Sequence, residues 1–324
     1  MKKIYYLIIP LLFVASAFST QANAQKPVAG DISKIIEMDG VDIINPKWSP
    51  DGSKIAFTSA NQTGLWVADA NGDNIQQITD DESVGFGFSW SYDSSYLLAR
   101  HSVQNGPRRI HAVKLYSIET GGATELTDYR NQMPAVPVFS ANQQQVLLPL
   151  RDRVETLESG LQLRMKTIPT GEATTQPVVL NSRSAIQVAT DQSDSYNTLV
   201  PFEGRTFLNA TPSPDGQRIA FEVMGGNLYI MNTDGSGIVD LGRANRPEWS
   251  PDGRYLAAML AEDDGYQMTQ SDIVAFTTDG SECLYFTTSS GLIAMNPSWS
   301  PDGSKIAFHA ANESGIFVLE LITE

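Results

Sequence analysis

The chain has 324 residues, a formal net charge of −15 and a single cysteine. An acidic surface disfavours nucleic acid and anionic lipid as direct partners. One cysteine, Cys283, excludes an internal disulfide; it lies in the strand-like run Cys283-Leu-Tyr-Phe286 and reads as a buried, inert thiol.

Taken in order, residues 1–24 read as an export signal. Lys2 and Lys3 form a basic start, and Ile4 to Phe18 is an apolar run. It is shorter than the about 20 residues that a membrane span needs. Ala22-Asn23-Ala24 is a small-residue cleavage site ahead of Gln25. The expectation is a periplasmic or secreted protein with no membrane span in the mature chain, folded as one domain over 25–324.

That domain is built from copies of one unit. Trp48-Ser-Pro-Asp-Gly-Ser-Lys-Ile-Ala-Phe57 recurs as Trp299-Ser-Pro-Asp-Gly-Ser-Lys-Ile-Ala-Phe308. Anchoring on the residue before the serine gives six copies, at Trp48, Trp90, Phe139, Pro212, Trp249 and Trp299. Ser-Pro-Asp-Gly is intact after Trp48, Pro212, Trp249 and Trp299. It is worn to Ser91-Tyr-Asp-Ser94 and Ser140-Ala-Asn-Gln143 in the other two. Pro presets the first central φ, Asp accepts a backbone bond two residues on, and Gly takes the position of positive φ. Each copy therefore reads as strand, tight turn, strand.

A third strand follows in each copy, as in Gly64-Leu-Trp-Val-Ala68 or Gly315-Ile-Phe-Val-Leu319. Gly-bearing turns such as Thr233-Asp-Gly-Ser236 then lead to a fourth. Four short antiparallel strands per unit of about forty residues is the pattern of a propeller blade. The fold expected is all-β, a six-bladed β-propeller, with seven blades as the alternative. The uncertainty sits between Phe139 and Pro212, where an insertion or a degenerate blade falls near 181–205. Pro177 to Ile186 is in register with Pro46 to Ile55 but lacks the Trp and the Pro-Asp-Gly. The last copy has three strands, and Ile32-Ser-Lys-Ile-Ile-Glu37 is the spare strand expected to complete it and close the ring.

The turn residues Asp51, Asp93, Asp215, Asp252 and Asp302 look like candidate sites, but a residue that recurs in five of six repeats serves the repeat, so their reading is structural. No Gly-x-Ser-x-Gly elbow and no His-Glu-x-x-His is present. His101, His111 and His309 read as surface or loop residues. No cofactor and no metal site is expected, Ca²⁺ being the one ion that the net acidity suggests.

The repeats resemble those of the TolB β-propeller family. Asn45-Pro46-Lys47-Trp48-Ser49-Pro50-Asp51-Gly52 through Phe57 and Asn296-Pro297-Ser298-Trp299-Ser300-Pro301-Asp302-Gly303 through Phe308 carry the resemblance, which runs over about 32–324. It does not include the α/β domain that precedes the TolB propeller. It implies a non-enzymatic docking module of the cell envelope, with a partner such as a peptidoglycan-associated lipoprotein. The alternative is a hydrolase or lyase acting on carbohydrate or peptide in the central channel.

Blade geometry indicates where a partner sits. The tight turns share one face, and the second-to-third and fourth-to-first connections share the other. Longer, irregular connections are expected there, over Arg100 to His111, Asp128 to Val136, Arg151 to Gly160 and Ala261 to Ser271. Such loops on a rigid scaffold carry recognition. Arg108, Arg109, Arg130, Arg153, Arg243 and Arg246, with Tyr129 and Tyr266, are the candidate binding residues, suited to carboxylates or an acidic partner. Their competing use is pairing with Asp128, Asp152, Glu155, Glu158, Glu262 and Asp263 on the same loops.

Overall fold

The structure is a computed structural model that describes residues 26–131, 133, 135–140, 143–150, 154–161, 177–182, 184–189 and 196–323. The expected export signal and Arg153 lie outside them. Seven antiparallel sheets follow one another around a ring. Blade 1 comprises β2 (Ile43–Trp48), β3 (Lys54–Ser59), β4 (Leu65–Asp69) and β5 (Gln76–Thr79). Blade 2 comprises β6 (Phe88–Trp90), β7 (Tyr96–Asn105), β8 (Arg108–Ser117) and β9 (Ala123–Glu125). Blade 3 has β10 (Val138–Phe139), β11 (Gln145–Pro149) and β12 (Val154–Glu158), and blade 4 has β13 (Val178–Ser182), β14 (Ala185–Ala189) and β15 (Asn197–Leu199). Blade 5 is β16 (Phe207–Pro212), β17 (Arg218–Val223), β18 (Leu228–Asn232) and β19 (Val239–Asp240). Blade 6 is β20 (Asn245–Trp249), β21 (Tyr255–Asp263), β22 (Met268–Thr277) and β23 (Cys283–Tyr285). Blade 7 is β24 (Ala294–Trp299), β25 (Lys305–Ala310), β26 (Ile316–Thr323) and, on its outer edge, β1 (Pro27–Ile36). First strands of blades 3 to 7 lie against one another in turn, and that of blade 7 against that of blade 1, so the first strands line the central channel.

Six blades is therefore corrected to seven. The stretch near 181–205 is not an insertion in another blade. Val178 to Ser182 pairs in register with Ala185 to Ala189, which pairs with Asn197 to Leu199. Val179, Leu180, Ile186 and Val188 are buried, and Ser182 Oγ donates to the Ala185 carbonyl across the turn. Two rows of apolar residues were enough to keep this sheet in the ring after its Trp and Pro-Asp-Gly had gone.

The core is not central. Buried apolar residues fall into seven clusters, and each joins two neighbouring blades. Phe57, Phe221 and Phe308, from the repeated Ile-Ala-Phe, are fully enclosed, each contributing roughly 2 kcal/mol by transfer from water. The cluster at the closing junction contains Ile36, Ile43, Trp48, Ile55 and Phe57 together with Ala307, Ile316 and Val318, residues from both ends of the chain. β1 pairs antiparallel with β26 from Pro27↔Thr323 to Ile36↔Ile316. The N-terminal strand does complete the last blade, over a longer span than Ile32 to Glu37.

The repeated turn has an internal and an external function. Inside it, the buried serine donates to the aspartate and accepts the backbone N–H that opens the next strand. Ser49 Oγ lies 2.7 Å from Asp51 Oδ1 and takes Lys54 N–H at 2.9 Å, and Ser300 repeats this with Asp302 and Lys305. Outside it, a Cβ on Gly52, Gly253 or Gly303 would lie 3.6–3.8 Å from the ring of Pro301, Pro214 or Pro251, so each proline covers the glycine of the next blade. The worn copies keep the backbone shape with Ser94 (φ 59°) and Gln143 (φ 56°) in the glycine position. Each is tied to the turn before it: Ser94 Oγ accepts Asp51 N–H, and Gln143 Oε1 accepts the Tyr92 N–H that a proline there would lack.

The anchor tryptophans also join blades. Trp90, Trp249 and Trp299 donate their indole N–H to the carbonyls of Lys47, Thr211 and Glu248, each just before the previous blade's anchor. Trp48, at the closing junction, is different. Its Nε1 is buried without a partner, and its backbone N–H goes to Ser298 Oγ instead. Replacing Trp90, Trp249 or Trp299 by Phe removes a hydrogen bond that joins two blades and is expected to cost about 0.5–1.5 kcal/mol more than replacing Trp48 by Phe. Chemical denaturation of the four variants measures this; equal losses would contradict it.

Candidate functional site

On the tight-turn face, Asp51, Asp93, Asp215, Asp252 and Asp302 each accept from the serine two residues back and from a backbone N–H two residues on. Burial would raise the Asp51, Asp215 and Asp252 carboxyls, but these bonds outweigh it and hold them below the usual range. For Asp302 the Ser300 bond is itself the largest influence. Their accepting capacity is used inside the turn.

The opposite face differs from blade to blade. Arg100 to His111 and Ala261 to Ser271, expected as irregular loops, are instead strand extensions. β7 and β8 stay paired to Asn105↔Arg108, and β21 and β22 to Asp263↔Met268. Each hairpin overshoots the ordinary strand length by about four residues, roughly 13 Å. Arg108 and Arg109 are exposed at the first tip, and Tyr266 is 98% exposed at the second. Arg243 is exposed in the connection into β20, and Arg246 is exposed on β20 itself. Arg130 holds Glu155 through both guanidinium nitrogens, at 2.5 and 3.1 Å. Among the described residues this is the one ion pair found between the candidate arginines and the loop acids.

Tyr129 and Arg130 are fastened to blade 2. Tyr129 Oη bonds His101 Nδ1 at 2.7 Å, and Arg130 forms a backbone bridge with His111. His101 Nε2 lies 3.6 Å from Asp81, which also takes Tyr116 Oη and Lys114 Nζ. Burial would raise the Asp81 carboxyl, but the bonds from Tyr116 and Lys114 hold it low; burial lowers His101 despite Asp81. The surface or loop reading of the histidines is corrected: His101 and His309 are buried on β7 and β25, and His111 is half-buried on β8. Cys283 is half-buried on β23 rather than enclosed, and burial raises its thiol.

The channel mouth on this face was not found from sequence. In β2, β16, β20 and β24 the pairing slips by a bulge, at a residue of positive φ: Asn45 (58°), Asn209 (49°), Arg246 (57°) and Asn296 (51°). Asparagine tolerates this conformation and arginine does not favour it. Arg246 is held there by buried Glu222 of blade 5, whose Oε1 accepts its N–H at 2.6 Å. Glu222 also takes the side-chain amides of Asn209 and Asn245. One blade pair further round, His309 Nδ1 accepts the Asn45 N–H at 3.4 Å. So the residue after Ile-Ala-Phe, Glu222 or His309, caps the bulge of the following blade. The recurring Asn-Pro or Arg-Pro two residues before the anchor was the available signal.

Deeper in the channel, Lys47 and Glu248 precede the anchors of blades 1 and 6. Burial pushes the Lys47 ammonium down, with Glu248 opposing and Arg246 adding to the fall. It pushes the Glu248 carboxyl up, with Lys47 opposing. Among the described residues no group of three or more His, Cys, Asp or Glu is placed to hold a metal ion, and no helix is long and apolar enough to cross a membrane.

No protein-family profile and no curated protein matches the sequence. Solved structures match the fold. The Swd1 (Cps50) β-propeller domain of Myceliophteria thermophila is 10% identical with a TM-score of 0.63, over 90% of this chain and 100% of that one. Oligogalacturonate lyase from Vibrio parahaemolyticus is 13% identical with a TM-score of 0.55, over 92% and 98%. A putative TolB from Agrobacterium tumefaciens is 16% identical with a TM-score of 0.52, over 93% and 99%. The C-terminal WD40 domain of Sif2 is 13% identical with a TM-score of 0.57, over 88% and 83%. At such identities the likeness is one of fold: this chain is a β-propeller with both WD40-type and TolB-type neighbours.

His309 gives the mouth a pH dependence. Burial, then the Arg246 charge, lower its pKa from 6.5 to about 4 against the favourable Met295 backbone. A histidine kept neutral in the fold takes up its proton first when unfolded. Its contribution is complete above pH 6.5 and is lost as pH falls towards about 4, roughly 3 kcal/mol in all. Protonation at Nδ1 also removes the acceptor of Asn45 N–H. Urea unfolding across this window is expected to destabilise the wild type more than His309→Gln, whose amide can still accept; parallel curves would contradict this.

Proposed function

We propose that the protein is a non-enzymatic, exported binding module, periplasmic or secreted, which docks a cell-envelope protein on the face bearing its hairpin arms and channel mouth. The observation that carries this reading is Arg246. Three other copies seat asparagine in the bulge conformation, and this one seats an exposed arginine, in a conformation that costs an arginine about 1 kcal/mol or more. Glu222 offsets that cost by taking its N–H. Strain of this kind is retained where it sets a side chain for use.

The guanidinium stands at the mouth of the channel, within electrostatic reach of His309 and Lys47. Arg243 is exposed on the connection just before it. Paired donors of this kind suit a carboxylate presented by a partner. Tyr129, fixed by His101, and Arg130, fixed by Glu155, supply a pre-set rim, so little ordering cost remains on docking. The likeness to propeller domains of the WD40 and TolB types supports a docking scaffold, and a peptidoglycan-associated lipoprotein is the partner that the TolB-type repeats suggest.

Arg246→Asn restores the residue used by the other copies. The variant is expected to gain about 1 kcal/mol in stability and to bind a purified peptidoglycan-associated lipoprotein at least tenfold more weakly by calorimetry, with Arg243→Ala adding to the loss. Wild-type protein that does not bind it, or variants that bind it equally well, would overturn the reading.

A further inference from the structure

The two hairpin arms carry opposite chemistry. The β7–β8 arm ends in Gln104, Asn105, Arg108 and Arg109, all exposed, with no acid among them. The β21–β22 arm ends in Glu262, Asp263, Asp264 and Tyr266, all exposed. Among the described residues none of these five charged side chains enters an ion pair within the molecule. Asp263 and Asp264 only accept backbone N–H groups of their own turn. A tyrosine exposed on every side beside three carboxylates is a receptor for arginine, since the ring face takes a guanidinium and the acids neutralise it.

Both arms lengthen the second and third strands of their blades in the same direction, so they rise from the same face. They stand on blades 2 and 6, with blades 7 and 1 between them. For two such arms one symmetry operation is enough. A twofold axis perpendicular to the ring axis, bisecting the angle between the arms, brings each onto the other arm of a second copy. One operation thus makes two identical contacts, the self-complementary arrangement of an isologous dimer.

We propose that two copies of this chain dock face to face, the Arg108–Arg109 tip of each seated against the Tyr266 and carboxylate tip of the other. The charge pattern favours a second copy over an unrelated partner because both halves of the complement are present on one chain at matching height. The pairing is electrostatic and exposed, so it is salt-sensitive and modest in affinity. The net charge of −15 opposes it at long range, whereas the local pairing acts within a Debye length. It does not depend on the envelope-docking reading, whose partner would compete with the second copy for this face: self-association is measured with this protein alone.

The test is sedimentation velocity of the exported protein at concentrations up to hundreds of micromolar, in low and in high salt. The wild type is expected to form a dimer that salt dissociates. Arg108→Glu with Arg109→Glu, or Glu262→Lys with Asp263→Lys, places like charges together and should weaken the dimer by about tenfold or more. Mixing the two reversed proteins should restore pairing as a heterodimer, and so should all four changes in one chain. Circular dichroism checks that each is folded, and the restored pairing guards against variants that fail for other reasons. A monomeric wild type, a dimer indifferent to the reversals, or reversed proteins that do not pair when mixed would each overturn the proposal.

Discussion

Each blade of this protein has two apolar faces and cannot bury either alone. That constraint governs the rest of the structure. The seven hydrophobic clusters are all junctions between neighbours, so no blade is stable until it is flanked on both sides. A row of sheets meets this need only by closing on itself. Closure depends on β1, which crosses from the start of the described chain to pair with β26. Gly72 of blade 1 then comes so close to it that an added Cβ would fall 1.9 Å from the Ile35 carbonyl. The closing junction is also chemically distinct: Trp48 lacks the indole bond of Trp90, Trp249 and Trp299, and a titratable His309 takes the place of Glu222 as the acceptor.

Junctions of this kind explain how a repeat wears without unfolding the ring. Where Pro and Gly remain, a ring packs on a glycine. Where they have gone, an exposed N–H and an acceptor have appeared together, Tyr92 with Gln143, so that the contact changed from packing to hydrogen bonding. Blade 4 lost both the anchor and the turn but kept its buried rows, and Asn181 Oδ1 accepts the Ala210 N–H of the next blade. A position in a turn can therefore change if its neighbour's complement changes too.

On this rigid frame the two faces of the ring differ. The tight-turn face is spent on holding blades, its serines and aspartates consuming one another's bonding capacity. On the other face the second and third strands of blades 2 and 6 run on past the ring, and the inner strand of blade 6 carries arginine where its relatives carry asparagine. The copies thus diverge on the face to which the proposed docking is assigned, on a frame that they share.

The repeat, the blade and the closing strand were legible in the sequence because they rest on local rules. Pro-Asp-Gly sets a turn, alternation sets two buried faces, and a missing strand at one end matches a spare at the other. The number of blades was not, since it turned on Val178 to Ala189, where the motif is lost and only apolar periodicity, shared with any strand, remains. Candidate arginines could be assigned to a face from topology, but not their partners: only the tertiary structure separates Arg130, engaged by Glu155, from Arg108 and Arg109 at a free tip. Asn-Pro or Arg-Pro before the anchor marks the bulge in the sequence, but which side chain caps it was decided by tertiary structure. Asn45 and His309 are remote in sequence and meet only because the ring closes, and Arg246 meets Glu222 because the bulge of β20, like that of β2, presents an N–H to the blade before it.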